Sequence, residues 1–348
     1  MTASQIPMEQ PAGSGEAPEP TLESPEEQRR RRRKAALLLL LLAFLAFLVA
    51  LLLWYLIFRQ PIQPPIPVIP DTSLPHYSTS IYGVQRPMGV AVTSSGDRVF
   101  VTQTEGEYGV LMFDGSGNAL GTFEAPDESD HVPVYLAIDP LTQEVYVSDR
   151  MAGAIYVYDV DGRLQRQYQP ATPIPGWQPL GLAFDKAGDL YVTDLATAPQ
   201  QVEVFDRKGA LVRTIGTGEA MSFPNGIAID DAGYVYVTDS NNGRLLVFDE
   251  SGTMVGQVGR GTGQGNLGLP RGVAVAGDRV YVADVTGQGV YTYRPVSDQE
   301  QRPEYVGFYG GLGVAEGQFQ FPNGIAVDGR GRVYVTDSVN DRVQVWSY

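Results

Sequence analysis

Residues 321–348 read FPNGIAVDGRGRVYVTDSVNDRVQVWSY. Three short apolar runs, IAV, VYV and VQVW, are separated by Gly, Asp and Asn, the pattern of strands joined by tight turns. The opening phrase recurs as RPMGVAV, VPVYLAID, QPLGLAFD, FPNGIAID and LPRGVAV, with its prolines at Pro87, Pro133, Pro179, Pro224, Pro270 and Pro322. Each phrase is followed by a second run (VFVTQ, VYVSD, LYVTD, VYVTD, VYVAD, VYVTD), then a third, a turn and a shorter fourth. A repeat of this length means that one supersecondary unit is being stacked.

The runs are apolar on both alternating faces, so both faces of each four-stranded sheet must be covered. Radial stacking of the sheets satisfies that need and leaves only short edges. The expected fold is all-β, a six-bladed β-propeller. The sixth unit stops after its third strand, and an unassigned strand, YSTSIYGV (77–84), precedes the first unit. Pairing of Ser78 to Tyr82 with Arg342 to Trp346 would complete the last blade and tether both ends of the domain.

The segments FPNGIAIDDAGYVYVTDSNNGRLLVF and PNGIAVDGRGRVYVTDSVNDRVQVW closely resemble NHL repeats, and the other four units resemble them more loosely. The resemblance covers about residues 78–348 and implies a six-bladed propeller. It does not fix a function, because one fold hosts many activities.

From Ala35 to Phe58 the chain is apolar without interruption. A helix of that length spans about 36 Å, against a hydrocarbon core of about 30 Å. RRRRRK (29–34) precedes the run and only Arg59 follows it at once, which keeps the N-terminus cytoplasmic and the bulk of the chain outside. The expected organisation is a disordered cytoplasmic tail at 1–34, a transmembrane helix at 35–58, a Pro-rich stalk at 59–76 and the propeller at 77–348. The protein is thus expected at the cell membrane as a single-pass protein with an extracytoplasmic propeller.

The net charge of −15 falls entirely on residues 77–348, because the tail and the apolar segment each sum to zero. An acidic domain repels phosphate backbones, so no nucleic-acid partner is expected. Cysteine is absent, which excludes disulfides, thiolate metal sites and Cys nucleophiles. GQGNLG (263–268) matches a dinucleotide fingerprint but is followed by Pro270 and a strand, so it reads as an inter-blade turn. DVDG at Asp159 lacks the glutamate of a calcium loop and reads as a hairpin turn. The recurring Asp149, Asp194, Asp239, Asp284 and Asp337 read as turn caps, and Asn241, Arg244, Asn340 and Arg342 as support for the same loops.

Among proteins with propellers of this kind, the resemblance also points to a peptide-amidating lyase with a histidine-held metal and to calcium-dependent lactonases. This chain has only His76 and His131, and Arg86-Pro87-Met88-Gly89 stands where a lactonase would place Glu. The loop PDESDH (126–131) offers Asp127, Glu128, Asp130 and His131 as weaker cation ligands. Departures from the repeat mark the expected ligand site: the variable residues of the Pro-x-Gly phrase, Met88, Val134, Leu180, Asn225, Arg271 and Asn323, together with Tyr135 and Trp177. They predict a concave channel mouth with an apolar and a polar side. The expected function is a binding, scaffold or sensor module for a protein, peptide or glycan, with no catalytic residue, metal or cofactor assigned. The alternative is a metal-dependent lactonase- or lyase-like extracytoplasmic enzyme.

Overall fold

The computed structural model describes residues 25–58 and 74–348, apart from 128, 197, 262, 298 and 299. The tail up to residue 24 and the stalk from 59 to 73 lie outside the described residues. One α-helix runs Pro25–Phe58, so it starts well ahead of the apolar run and takes in the basic stretch expected in the tail. Proline suits the first position of a helix, and Glu, Gln, Arg and Lys all favour its interior. Its described side chains end at Ala50. Among the described residues no helix is long and apolar enough to cross a membrane.

Residues 76–347 form six four-stranded antiparallel sheets. Blade 1 starts with Pro87–Val92, blade 2 with Pro133–Ile138, blade 3 with Pro179–Phe184, blade 4 with Pro224–Ile229, blade 5 with Pro270–Ala276 and blade 6 with Pro322–Val327. These inner strands contact one another around a ring, and that of blade 6 lies beside that of blade 1. The fourth strand of blade 6 is His76–Ile81, which pairs antiparallel with Arg342–Ser347 through Tyr77↔Trp346, Thr79↔Val345 and Ile81↔Val343. The expected closure is therefore present, and His76 belongs to the closing strand rather than to the stalk.

The core is a set of layers between neighbouring blades. Tyr191, Val202, Val204 and Ile215 of blade 3 pack on Ile227, Val235 and Val237 of blade 4. The layer that shuts the ring joins Ile81, Tyr334, Val343 and Val345 of blade 6 to Val90, Val99, Val101 and Phe113 of blade 1. Non-directional burial of this sort stabilises a blade only when its neighbour is present.

Asp-x-x-Gly turns join the strands within a blade. At 249–252 the Asp249 carboxylate accepts hydrogen bonds from the backbone N–H groups of Ser251 (2.9 Å) and Thr253 (3.0 Å). Gly252 takes the left-handed conformation that ends the turn, with φ +85°. Asp159 caps its turn in the same way, bonded to Asp161 N and Arg163 N at 3.0 Å each.

Candidate functional site

Antiparallel pairing brings the start of each inner strand, the end of the second and the start of the third to one end of the ring, as in Pro322↔Asp337↔Arg342. At this end the repeated Asp binds the loop entering its blade. Asp239 accepts from Ser222 N (2.7 Å), Asp284 from Gly268 N (2.8 Å) and Asp337 from Gln320 N (2.7 Å). Arg244 Nε donates to Asp239 at 2.7 Å, and Arg342 Nε to Asp337 at 2.8 Å. These side chains support loops, as their recurrence implied.

The hydroxyl just before that position, which is Asp in most blades and Gln103 in blade 1, has a role that sequence reasoning missed. Thr102 donates to Val134 O (2.8 Å), Ser148 to Leu180 O (2.7 Å) and Thr336 to Met88 O (2.9 Å), so each clasps the next blade at its channel residue. The signal was present in the recurring hydroxyl of VYVTD. The glycine of the Pro-x-Gly phrase allows the same close approach: a Cβ on Gly226 would lie 2.6 Å from Arg271 O and 2.8 Å from Val273 N.

In blade 2 Tyr135 replaces that glycine and reaches over the channel. Its hydroxyl is 3.0 Å from Asn323 Oδ1 and 3.4 Å from Asn225 Oδ1. Asn323 Nδ2 lies 3.2 Å from Met88 Sδ, and Asn225 Nδ2 donates to Ser240 Oγ at 2.5 Å. Val134, Tyr135 and Leu180 form one apolar cluster, against which Met88 and Phe223 pack. Burial pushes the Tyr135 phenol up to about 12, opposed by the nearby Arg271 guanidinium. Arg271 itself lies 5.6 Å over the Phe223 ring, and its Nε has no hydrogen-bond partner among the described residues. Below this layer the channel holds a cavity of about 50 Å³, lined by Val90, Leu182, Ile227, Val273 and Ile325. At about 30 Å³ per water, it has room for one or two water molecules.

Seven of the eight expected mouth residues are thus brought together. Two expectations need correction. The mouth is not an open concavity, because Val134, Tyr135, Leu180, Asn225 and Asn323 are only 1–8% exposed and plug it, leaving Met88 and Arg271 half-buried. Trp177 lies elsewhere. It packs on Phe205 and Tyr168, and its indole N–H donates to Glu203 Oε2 at 2.7 Å. A half-buried indole needs an acceptor, and Glu203 on the third strand of blade 3 supplies it.

Glu203 is 2% exposed, and its pKa is pushed up to about 7 by burial and then by the Asp194 carboxylate. A carboxyl raised from its ordinary 4.5 binds its proton more tightly when folded. Its stabilising effect is complete below the ordinary value and is lost as pH rises through about 7. The full shift corresponds to at most about 3 kcal/mol. Thermal unfolding of wild type should weaken between pH 5 and 8 by up to this amount, and Glu203→Gln should flatten the dependence. Identical pH profiles would contradict the assignment.

In the loop 126–131, Glu128 lies outside the described residues. His131 Nδ1 is 2.8 Å from Asp149 Oδ2, and Nε2 is 3.2 Å from Asp127 Oδ1 and 3.4 Å from Ser129 Oγ. Among the described residues no three carboxylate or imidazole groups are arranged to hold a metal ion.

The NHL repeat pattern matches residues 221–248 and 319–346, in blades 4 and 6. No curated protein sequence matches the chain. Among solved structures, a catalytically inactive histidine-to-alanine variant of virginiamycin B lyase from Staphylococcus aureus with quinupristin is similar. It shows 16% identity and a TM-score of 0.55, over 78% of this chain and 98% of that one. A streptogramin B lyase aligns with 14% identity and a TM-score of 0.52, over 79% of this chain and 96% of that one. A chain of the nidogen/laminin complex aligns with 18% identity and a TM-score of 0.50, over 65% of this chain and 84% of that one. At such identities the likeness concerns the fold. Two matched NHL repeats thus lie within a closed six-bladed β-propeller.

Proposed function

We propose that the protein is a membrane-anchored binding module whose propeller takes a protein or peptide ligand, outside the membrane, on the face that carries the inner-strand starts. The observation that carries this reading is the contrast between the centre and the rim of that face. The centre is plugged by neutral, mutually bonded side chains above a cavity of about 50 Å³. Loops at the same end expose large apolar side chains, among them Tyr82, Met151, Leu312, Phe321 at 53% and Val314 at 70%. Exposed apolar groups beside polar ones are the composition of docking surfaces. Arg271, half-buried near the centre, adds a cation for a ligand carboxylate. Anchoring rests on the uninterrupted apolar run 35–58 and the basic residues before it.

The lyase or lactonase reading has less support. The similar lyase is inactivated by losing a histidine, whereas here the central residues are Tyr135, Asn225 and Asn323, and the two histidines stand in the closing strand and in an inter-blade loop. A membrane-impermeant cross-linker applied to intact cells tests the binding reading. A discrete partner should be captured by wild type, and about fivefold less by Leu312→Ser/Val314→Ser and by Arg271→Ala with unchanged thermal unfolding. Undiminished capture by both variants would remove this face as the binding surface.

A further inference from the structure

A cavity of about 320 Å³ lies between blades 1 and 2, away from the channel plug. That volume falls at the lower end of the range for small-ligand sites, about 300–1,000 Å³. Its inner walls are the rings of Phe123, Tyr156 and Tyr158, with the Phe123 and Tyr158 rings tilted at 44° and their centroids 4.8 Å apart, and the exposed Tyr108 also lines it. Four carboxylates, Glu107, Glu124, Asp130 and Asp149, line it without any Lys or Arg. Asp149 is occupied by His131, and Glu124 accepts a hydrogen bond from Leu164 N. The carboxylates of Glu107 and Asp130 make no hydrogen bond or ion pair with any described residue.

A second observation is independent of the acidic rim. Tyr158 is 4% exposed and Tyr156 9% exposed, yet neither hydroxyl has a hydrogen-bond partner among the described residues. Both residues line the cavity, so a bound partner can hydrogen-bond to them. Burial raises the pKa of both phenols, so at neutral pH they remain uncharged and offer oxygen lone pairs to a donor. Ring faces attract cations, and free carboxylates pair with them.

We propose that the cavity binds a primary ammonium group carried on an apolar body, its charge held by Glu107, Asp130 and the tyrosine hydroxyls while the body packs on Phe123 and Tyr158. Such a group is found on free aromatic or alkyl amines and on the lysine side chain of a peptide. The test is calorimetric titration of the full chain with phenethylammonium chloride and, separately, with Nα-acetyl-lysine methylamide. Saturable binding of either is expected, about tenfold weaker in Glu107→Gln/Asp130→Asn and weaker in Tyr158→Phe, since a hydrogen bond to a charged group contributes about 1.5 kcal/mol or more. Both substituted carboxylates are exposed, so unfolding temperatures should not change. The tighter of the two probes identifies the source as a free amine or a peptide lysine. Absence of saturable binding by both probes, equal binding of neutral 2-phenylethanol, or full retention in the double variant would overturn the proposal.

Discussion

Asp337→Ala should destabilise the propeller by about 3 to 5 kcal/mol, the usual cost of removing one partner of a buried ion pair. Asp337 is fully buried, and its two oxygens accept from Gln320 N, Asn340 Nδ2, Arg342 Nε and Gln344 Nε2 at 2.7 to 3.0 Å. Without the carboxylate, the guanidinium of Arg342, whose side chain is 5% exposed, keeps its bonds to Ala315 O and Gln318 O but has no counter-charge. The double variant Asp337→Ala/Arg342→Met should recover part of the loss, since it removes the stranded charge. Asp194→Ala should cost less, because among the described residues Asp194 has no arginine partner and its Oδ2 already lacks a hydrogen bond. Urea unfolding of the three variants measures the ranking. Equal losses at Asp194 and Asp337 would show that the turn bonds, not the ion pair, carry the stability.

The repeat made most of the fold legible. Each unit carries its own strand and turn signals, so the blade count needed no long-range information, and a unit one strand short pointed to the strand before the first unit. The site was harder to read because its contacts are remote. Tyr135 was recognisable as the residue replacing a glycine, but its neighbours Asn225 and Asn323 lie 90 and 188 positions away. Their convergence turns an expected open mouth into a plug. In the phrase VEVF, Glu203 alternates with valines as a solvent-facing residue would, and only the Trp177 loop folding over it reveals its burial. Tyr156 and Tyr158 in IYVYD read as ordinary strand residues. The cavity that they line exists only between two blades.

Closure by the strand before the first unit gives the second large expected effect. His76 and Ser347 are Cα partners at the outer end of the ladder, where opposed residues in antiparallel strands lie about 4.5 to 5.5 Å apart, within disulfide range. The chain has no cysteine of its own, so His76→Cys/Ser347→Cys creates a single defined pair. A bond there closes a loop of almost the whole propeller and should add about 2 to 4 kcal/mol by restricting the unfolded chain.

The decisive measurement is the thermal unfolding of this double variant, oxidised and reduced, with its free thiols counted. A ring shut by residues 76–81 predicts complete loss of free thiol on mild oxidation and a higher unfolding temperature that reductant abolishes. Thiols that stay free, or a cross-link that lowers the unfolding temperature, would mean that this strand does not lie against residues 342–347.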